Sequence, residues 1–199
     1  NAVGPTTVIE PARSRDHTER MLGAMGAQVS VDGLAVTLTP GPGLAAADIT
    51  VPGDFSSAAF FLAAGLLVPD SEISVEGVLL NPTRTGLLSA LSAMGAEMLV
   101  QAGEEVAGEP VGTVTARSTS LHATEVGGEL IPLLIDEIPL LAVLATQAEG
   151  LTVIRDAAEL RVKESDRLAV MAQVLAAMGA QVQEQPDGLA VQGPTLLRG

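Results

Sequence analysis

Hydrophobic and polar positions follow the same order in several parts of the chain. A β-branched run is followed by a loop, by a segment with apolar residues at helical spacing, and then by short alternating runs. The three helical segments share a Met-Gly-Ala ending and read RDHTERMLGAMGA, RTGLLSALSAMGA and ESDRLAVMAQVLAAMGA. The pattern predicts a repeated unit of one strand, one helix and two further strands.

Glycines punctuate these units where a turn is expected. Gly26, Gly95 and Gly179 follow the helical segments, and each fits the left-handed position just beyond a helix C-terminus. The sequences at 32–33 and 186–188, Asp-Gly and Pro-Asp-Gly, fit tight turns between paired strands. We therefore expect every unit to end in a β-hairpin.

Two further apolar segments predict an additional helix in front of a unit's first strand. GDFSSAAFFLAAGLL has Asp54 in the N-cap position, with two serines in its first turn. IDEIPLLAVLATQAEG predicts a helix that starts near Asp136 and Glu137 and ends at Gly150. The full repeat is then close to βαβαββ, in about two and a half copies, with helices packed on mixed sheets in an α+β fold.

The segment at 39–54, TPGPGLAAADITVPGD, is rich in Gly, Pro and Ala and is the predicted boundary between domains. A boundary between repeats is also a natural place for a hinge. The first copy lacks its leading helix, and the chain starts without Met. We therefore expect the chain to be an internal part of a longer protein.

Composition narrows the classes of function. The 199 residues include 24 acidic and 10 basic side chains, and the formal net charge of −14 opposes nucleic acid and anionic membrane as partners. The chain has no Cys and two His, which excludes disulfides and Cys-ligated zinc and disfavours a His-based metal site. No apolar run is long enough to predict a transmembrane helix.

The scarce cations are concentrated in AAELRVKESDRLAVM, at 157–171. We expect a helix to begin around 164–165, with Glu164 and Arg167 on one face and Lys163 just outside. A helix start with an arginine and a lysine could hold a small dianion and leave Glu164 at the reacting carbon. The alternative is a solvated helix start joined by ion pairs.

Cations recur at the equivalent positions of the other units. Arg15 lies eleven residues before Gly26, and Arg84 lies eleven residues before Gly95. This spacing indicates either a shared anion-binding design or an inherited loop. Arg84 could simply anchor its loop, and His17 is better explained as a cap or packing residue than as a catalytic one.

Asp136 and Glu137 interrupt an apolar segment, where a carboxylate is costly unless it is paired or caps a helix. One interpretation is that one of them caps the following helix. The other is a base at the mouth of a cleft, with a shifted pKa. Both can hold, with one role for each acid.

Five motifs together resemble the family of 5-enolpyruvylshikimate-3-phosphate synthases, the 3-phosphoshikimate 1-carboxyvinyltransferases. In chain order they are RSRDHTERML, VPGDFSSAAFFLAAGLL, NPTRTG, IDEIPLLAVLA and ELRVKESDRL. The resemblance implies the enolpyruvyl transferase fold, an inside-out α/β barrel with two domains of three βαβαββ units. It also implies transfer of the enolpyruvyl group of phosphoenolpyruvate to the 5-hydroxyl of shikimate 3-phosphate, with release of phosphate and without a metal or organic cofactor.

The resemblance further implies a role for individual residues. Asp136 would contact the shikimate hydroxyls and accept the proton of the 5-hydroxyl, and Glu164 would protonate the methylene of phosphoenolpyruvate. Arg15 and Lys163 would contact shikimate 3-phosphate. Arg167 would hold phosphoenolpyruvate. These residues would form one wall of a cleft that closes over the substrates.

By the layout of the family, residues 1–50 would end the first domain, and residues 51–199 would form the first two units of the second. Motifs expected before residue 1 and after residue 199 have no counterpart, so we expect the chain alone to be inactive and the whole enzyme to be a cytoplasmic monomer. Glu159 stands where some members have Asn, which puts one substrate contact in doubt. The alternatives are a UDP-N-acetylglucosamine enolpyruvyltransferase and a non-catalytic anion-binding module.

Overall fold

The computed structural model describes residues 2–41 and 43–199, which form helices packed on three open β-sheets. The helices are α1 (His17–Ala24), α2 (Phe55–Leu67), α3 (Gly86–Ala93), α4 (Ile131–Leu134), α5 (Ile138–Ala145) and α6 (Arg167–Ala177). The strands are β1 (Thr6–Ile9), β2 (Gln28–Asp32), β3 (Ala35–Thr39), β4 (Glu72–Leu79), β5 (Glu97–Val106), β6 (Glu109–Arg117), β7 (Glu125–Val126), β8 (Gly150–Ile154), β9 (Gln181–Gln185) and β10 (Gly188–Gly193).

All three sheets have the same internal order. The last strand of each unit lies in the middle, giving the orders β1-β3-β2, β4-β6-β5 and β7-β8-β10-β9. In the third sheet β7 pairs parallel with β8, and a parallel bridge between Gly53 and Val78 repeats this pairing beside β4. The predicted βαβαββ repeat and the α+β class are therefore confirmed.

The glycines at the helix ends have the backbone conformation that the sequence predicts. Gly26, Gly95 and Gly179 have φ angles of 88°, 80° and 93°, in the left-handed region that disfavours residues with a Cβ. The two predicted hairpin turns are also present, because β2 pairs with β3 and β9 pairs with β10, both antiparallel. These turns set the register of the central strands.

The hydrophobic core lies between the helices and the second and third sheets. Every buried hydrophobic residue of the described chain is at or after Phe55, and fully buried examples on three helices are Leu62, Leu91 and Leu141. The predicted N-cap of α2 is confirmed, since the Asp54 carboxylate accepts a hydrogen bond of 2.8 Å from the backbone N–H of Ser57. A buried hydrophobic residue also lies at the first or second position of α2, α3, α5 and α6, namely Phe55, Leu87, Ile138 and Leu168.

Two predicted helix boundaries are wrong. The helix that begins after Glu137 ends at Ala145, not at Gly150, because the chain then turns to pair with the segment before β7 through backbone bonds at Glu149. The other helix, α6, begins at Arg167 rather than at 164–165, because Asp166 caps it by accepting from the backbone N–H of Ala169.

The predicted domain boundary at 39–54 contains almost no regular structure. Residues 40–41 and 43–52 form neither helix nor strand, and Pro42 lies outside the described residues. The division into domains at this segment stays a prediction. Within the described part of the chain, no helix is long and apolar enough to cross a membrane.

The glycine at the end of α6 provides a test of this architecture. We expect Gly179→Ala to lower the free energy of unfolding by about 1 kcal/mol, because the left-handed backbone disfavours a Cβ although the space around it is empty. Gly23→Ala is the matched control, since Gly23 also has free space but an ordinary helical backbone. Urea unfolding measures the change in the free energy of unfolding for both variants. Equal changes would contradict the left-handed backbone conformation of Gly179.

Candidate active site

Asp136 lies in the turn between α4 and α5 and contacts three arginines. Arg15 donates a hydrogen bond to Asp136 Oδ2, and Arg84 Nη1 donates to the same oxygen at 3.2 Å. Arg167 Nη1 lies 3.3 Å from Oδ1. Both oxygens of this carboxylate are therefore engaged by guanidinium groups.

Each of the three arginines lies at or just before the start of a helix of its repeat, and only Arg15 and Arg84 share the same position. Arg15 and Arg84 each lie two residues before a helix, α1 and α3, and Arg167 is the first residue of α6. The repeated topology brings these three helix starts to one side of the molecule, where Asp136 joins them. The repetition of cations in the sequence thus marks one cluster, which we call the arginine cluster (Arg15, Arg84, Arg167 and Asp136).

The charge of Asp136 is stabilised by its partners. Burial alone would raise the pKa of Asp136, but the hydrogen bond from Arg15 and the charges of Arg15 and Arg84 outweigh it and lower the pKa below its ordinary value. The carboxylate is therefore ionised at neutral pH. Its low pKa makes it a weak base as long as the arginines remain in contact.

Arg84 is the least exposed member of the arginine cluster, with 10% of its side chain accessible. Its Nη2 donates to Ser56 Oγ at 2.6 Å and lies 3.6 Å from Asp54 and 3.9 Å from Glu137. The sequence left two interpretations of Arg84 open, a shared anion-binding design and a loop anchor, and assigned it no individual role in the site. Its spacing from Gly95, equal to that of Arg15 from Gly26, was the signal of a larger role.

Glu137 is buried, with 2% of its side chain exposed. It stands at the N-cap position of α5, but its side chain makes no capping bond, so the capping interpretation of this acid pair is wrong. The carboxylate turns inward and accepts a hydrogen bond from Ser56. Burial raises the pKa of Glu137, and the Ser56 hydrogen bond and the charge of Arg84 oppose that rise only in part.

Glu164 lies at the exposed edge of the arginine cluster. Its Oε2 accepts a hydrogen bond of 2.7 Å from Arg167, although it precedes the helix rather than sharing a face of it. Its own backbone N–H and the contact with Arg167 lower the pKa of Glu164. In this state the side chain is an ionised carboxylate and not a proton donor.

Lys163 is directed to a different partner. Its Nζ forms an ion pair with Glu159, one turn earlier in a short 3-10 helix at 158–162. Among the described residues no hydrogen bond or ion pair joins Lys163 to the arginine cluster. The structure therefore brings Arg15, Asp136, Glu164 and Arg167 together and keeps Lys163 in a neighbouring pair.

Polar contacts hold the segment that carries Arg15 against the second unit. The side chain of Asn81 donates to Asp16 at 2.6 Å, and His17 Nδ1 lies 2.6 Å from Glu109. Arg20 donates to the carbonyl of Gly108 at 2.7 Å. His17 is thus a packing residue, as expected, and these contacts set the position of Arg15 beside Asp136.

The arrangement is suited to binding anions. Three fixed guanidinium groups offer more N–H donors than the nearby carboxylates accept, and arginine forks match carboxylate and phosphate geometry. Within the described part of the chain, no group of three or more His, Asp or Glu side chains could hold a metal ion. The geometry favours the binding of small anions next to two carboxylates, Asp136 and Glu164.

Comparison with known proteins decides the family. The family model described as EPSP synthase (3-phosphoshikimate 1-carboxyvinyltransferase) matches residues 1–199. The chain belongs to the EPSP synthase family. A relative named 3-phosphoshikimate 1-carboxyvinyltransferase in Anaeromyxobacter sp. (strain Fw109-5) is 58% identical over 198 residues, which cover 100% of this chain and 46% of the relative. The protein of that name in Bacillus subtilis (strain 168) is 52% identical over the same length.

Solved structures agree with this family. An EPSP synthase structure from Acinetobacter baumannii superposes with a TM-score of 0.90 at 42% identity, over 96% of this chain and 43% of that one. The enolpyruvyl transferase NikO from Streptomyces tendae gives a TM-score of 0.70 at 24% identity, which shows the shared fold alone. The chain spans about half the length of the relatives that it matches.

The low pKa of Asp136 predicts a dependence of stability on pH. Because the folded-state pKa lies below the ordinary value of 3.8, the ion pairs stabilise the fold above that value and lose their effect as the pH falls through the folded pKa. We expect Asp136→Asn to reduce the free energy of unfolding at about pH 7 by more than it does below pH 3.8.

Urea unfolding at both pH values tests this expectation. Asp48→Asn is the control, since it removes the same charge at an exposed position with no ion pair among the described residues. A loss in Asp136→Asn that does not change with pH would contradict the assigned ion pairs.

Proposed function

We propose that the whole protein transfers the enolpyruvyl group of phosphoenolpyruvate to the 5-hydroxyl of shikimate 3-phosphate and releases phosphate. The observation that carries this proposal is the arginine cluster, which combines anion-binding groups with Asp136 in a member of the EPSP synthase family. Residues 1–50 would end one domain and residues 51–199 would begin the second. The enzyme would be a cytoplasmic monomer that extends beyond both ends of this chain.

The positions of the side chains support separate binding roles. Arg15 and Lys163 would hold shikimate 3-phosphate, and Arg167 would hold phosphoenolpyruvate. Each substrate carries more than one negative charge, so the arginines would exchange their contacts with carboxylates for contacts with substrate. This exchange would free Asp136 and Glu164 for the chemistry.

The same exchange would resolve a conflict between the lowered pKa of Glu164 and its proposed role as an acid. Glu164 has a lowered pKa while Arg167 holds it, which opposes its proposed role as the acid that protonates the methylene of phosphoenolpyruvate. An anionic substrate on Arg167 would remove this cation and add a nearby negative charge, and both changes raise the pKa of a carboxyl group. Glu164 would then be able to carry a proton.

Asp136 would act on the other substrate. When shikimate 3-phosphate takes up donors of Arg15, the carboxylate loses the contact that most strongly lowers its pKa. Its basicity would rise beside the 5-hydroxyl, whose proton it accepts. Protonation of the methylene gives cationic character to the adjacent carbon, which the 5-oxygen attacks. Phosphate would then leave as its bond to that carbon breaks, while the methyl group returns a proton to the carboxylate of Glu164 and the carbon–carbon double bond forms again. The remaining guanidinium groups would stabilise the negative charge of the departing phosphate.

Variants of the whole enzyme test these roles. We expect Glu164→Gln and Asp136→Asn each to lower kcat by about a hundredfold or more, because each removes a group that transfers a proton. Glu104→Gln is the control, since Glu104 is an exposed carboxylate on β5, away from the cluster. Phosphate release in the presence of both substrates is the measurement, and normal turnover in both variants would contradict the assigned roles.

The acceptor is tested in the same assay. Phosphate release with shikimate 3-phosphate and none with UDP-N-acetylglucosamine is the expected result. The reverse preference would assign the chain to the other enolpyruvyl transfer reaction. Binding of substrates without turnover under any condition would instead indicate an anion-binding module.

A further inference from the structure

Arg84 contacts two groups that have no role in the proposed reaction, the hydroxyl of Ser56 and the carboxylate of Glu137. One nitrogen, Nη1, contacts Asp136 at 3.2 Å, and the other, Nη2, donates to Ser56 Oγ at 2.6 Å. Ser56 in turn donates its hydroxyl proton to Glu137 Oε1. Contacts therefore lead from Glu137 through Ser56 and Arg84 to Asp136, and Glu137 Oε1 also lies 3.9 Å from Arg84 Nη2.

The direction of these hydrogen bonds is determined by chemistry. A guanidinium group can only donate, so Ser56 must accept from Arg84 with a lone pair. The single hydroxyl proton of Ser56 is then donated to another group, and the acceptor is Oε1 of Glu137. Without that acceptor, the hydroxyl group of Ser56 would be free to rotate, and its lone pair would be less firmly directed toward Arg84.

Burying the carboxylate of Glu137 costs free energy. Its side chain is 2% exposed, and its Oε2 has no hydrogen-bond partner among the described residues. An unsatisfied buried polar atom costs free energy, which indicates that the residue is kept for something other than stability. The proposed reaction assigns it no contact with substrate, and its buried carboxylate contacts Ser56 and Arg84 instead.

We propose that Ser56 and Glu137 are positioning residues that hold the guanidinium group of Arg84 against Asp136. The inference rests on the proposed function for its effect on turnover. Asp54 provides the competing acceptor, 3.6 Å from Arg84 Nη2. When Ser56 no longer accepts, Arg84 rotates toward Asp54 and moves away from Asp136.

Neighbouring serines provide a matched pair of variants. Ser56 and Ser57 are adjacent in the first turn of α2, but Ser57 Oγ donates to Asp54 at 2.8 Å and makes no contact with Arg84 or Glu137 among the described residues. Ser56→Ala therefore removes the proposed contact, whereas Ser57→Ala makes the same chemical change beside it. Glu137→Ala removes the final acceptor, and Glu137→Gln keeps an acceptor oxygen of the same shape.

The test combines two measurements on the whole enzyme. Carbon-13 NMR of the aspartate carboxyl groups, assigned with Asp136→Asn, follows the titration of Asp136. Arg15, Arg84 and Arg167 are the cations that contact this carboxylate, and Glu137 is the neighbouring acid. Steady-state assays give kcat and KM for both substrates over a range of pH.

We expect Ser56→Ala and Glu137→Ala to raise the midpoint of the Asp136 titration and to lower kcat about tenfold, with smaller effects on KM. Ser57→Ala and Glu137→Gln should stay close to the parent in both measurements. An unchanged Asp136 titration in Ser56→Ala, or equal effects of the two serine variants, would overturn the inference. Ser56→Ala also keeps the test decisive if Glu137→Ala does not fold.

The two proposals fail in different ways. An enzyme that releases no phosphate with either acceptor would refute the proposed function, while the Asp136 titration would still decide whether Ser56 and Glu137 position Arg84. Normal turnover combined with an unshifted titration would refute the positioning role alone.

Discussion

The site depends on one carboxylate that three repeats approach together. Asp136 is bound by Arg15, Arg84 and Arg167, which lie at or just before the starts of equivalent helices. The guanidinium groups of three arginines that contact the same carboxylate lie close enough to repel one another, and the negative charge of Asp136 offsets this repulsion. Asp136 therefore allows the arginines to lie close together, and under the proposed function an anionic substrate would replace it as their partner.

The fold builds this convergence by repetition. Each sheet has its unit's last strand in the middle, and the helices α1, α3 and α6 each lead into the outer strand that pairs with this central strand. The net charge of −14 means that the protein as a whole repels anions, so binding of an anion depends on local donors such as these guanidinium groups. A cluster of arginines that partly neutralise their own carboxylates can stay folded without substrate and still offer donors when one arrives.

Much of the fold could be predicted from the sequence, because repeated periodicity and glycines at helix ends are local signals. The helix start at Arg167 was misplaced by a few residues, since the capping bond of Asp166 depends on side-chain direction. The periodicity alone did not predict the convergence on Asp136, because a linear pattern does not tell how close residues 15, 84 and 167 come in space. The family resemblance placed Arg15, Asp136 and Arg167 on one wall of a cleft but did not include Arg84. The roles of Ser56 and Glu137 depend on the burial of the Glu137 side chain. The sequence shows only that two acids interrupt an apolar segment and does not tell which of them is buried.

A double-mutant cycle between Arg15 and Asp136 tests the central claim most directly. The free energy of unfolding is measured for the parent, Arg15→Ala, Asp136→Ala and the double variant. A direct contact predicts that the two single losses fail to add, with a coupling of about 0.5–3 kcal/mol. Additivity within about 0.3 kcal/mol would contradict the claim that Asp136 joins the first repeat to the others.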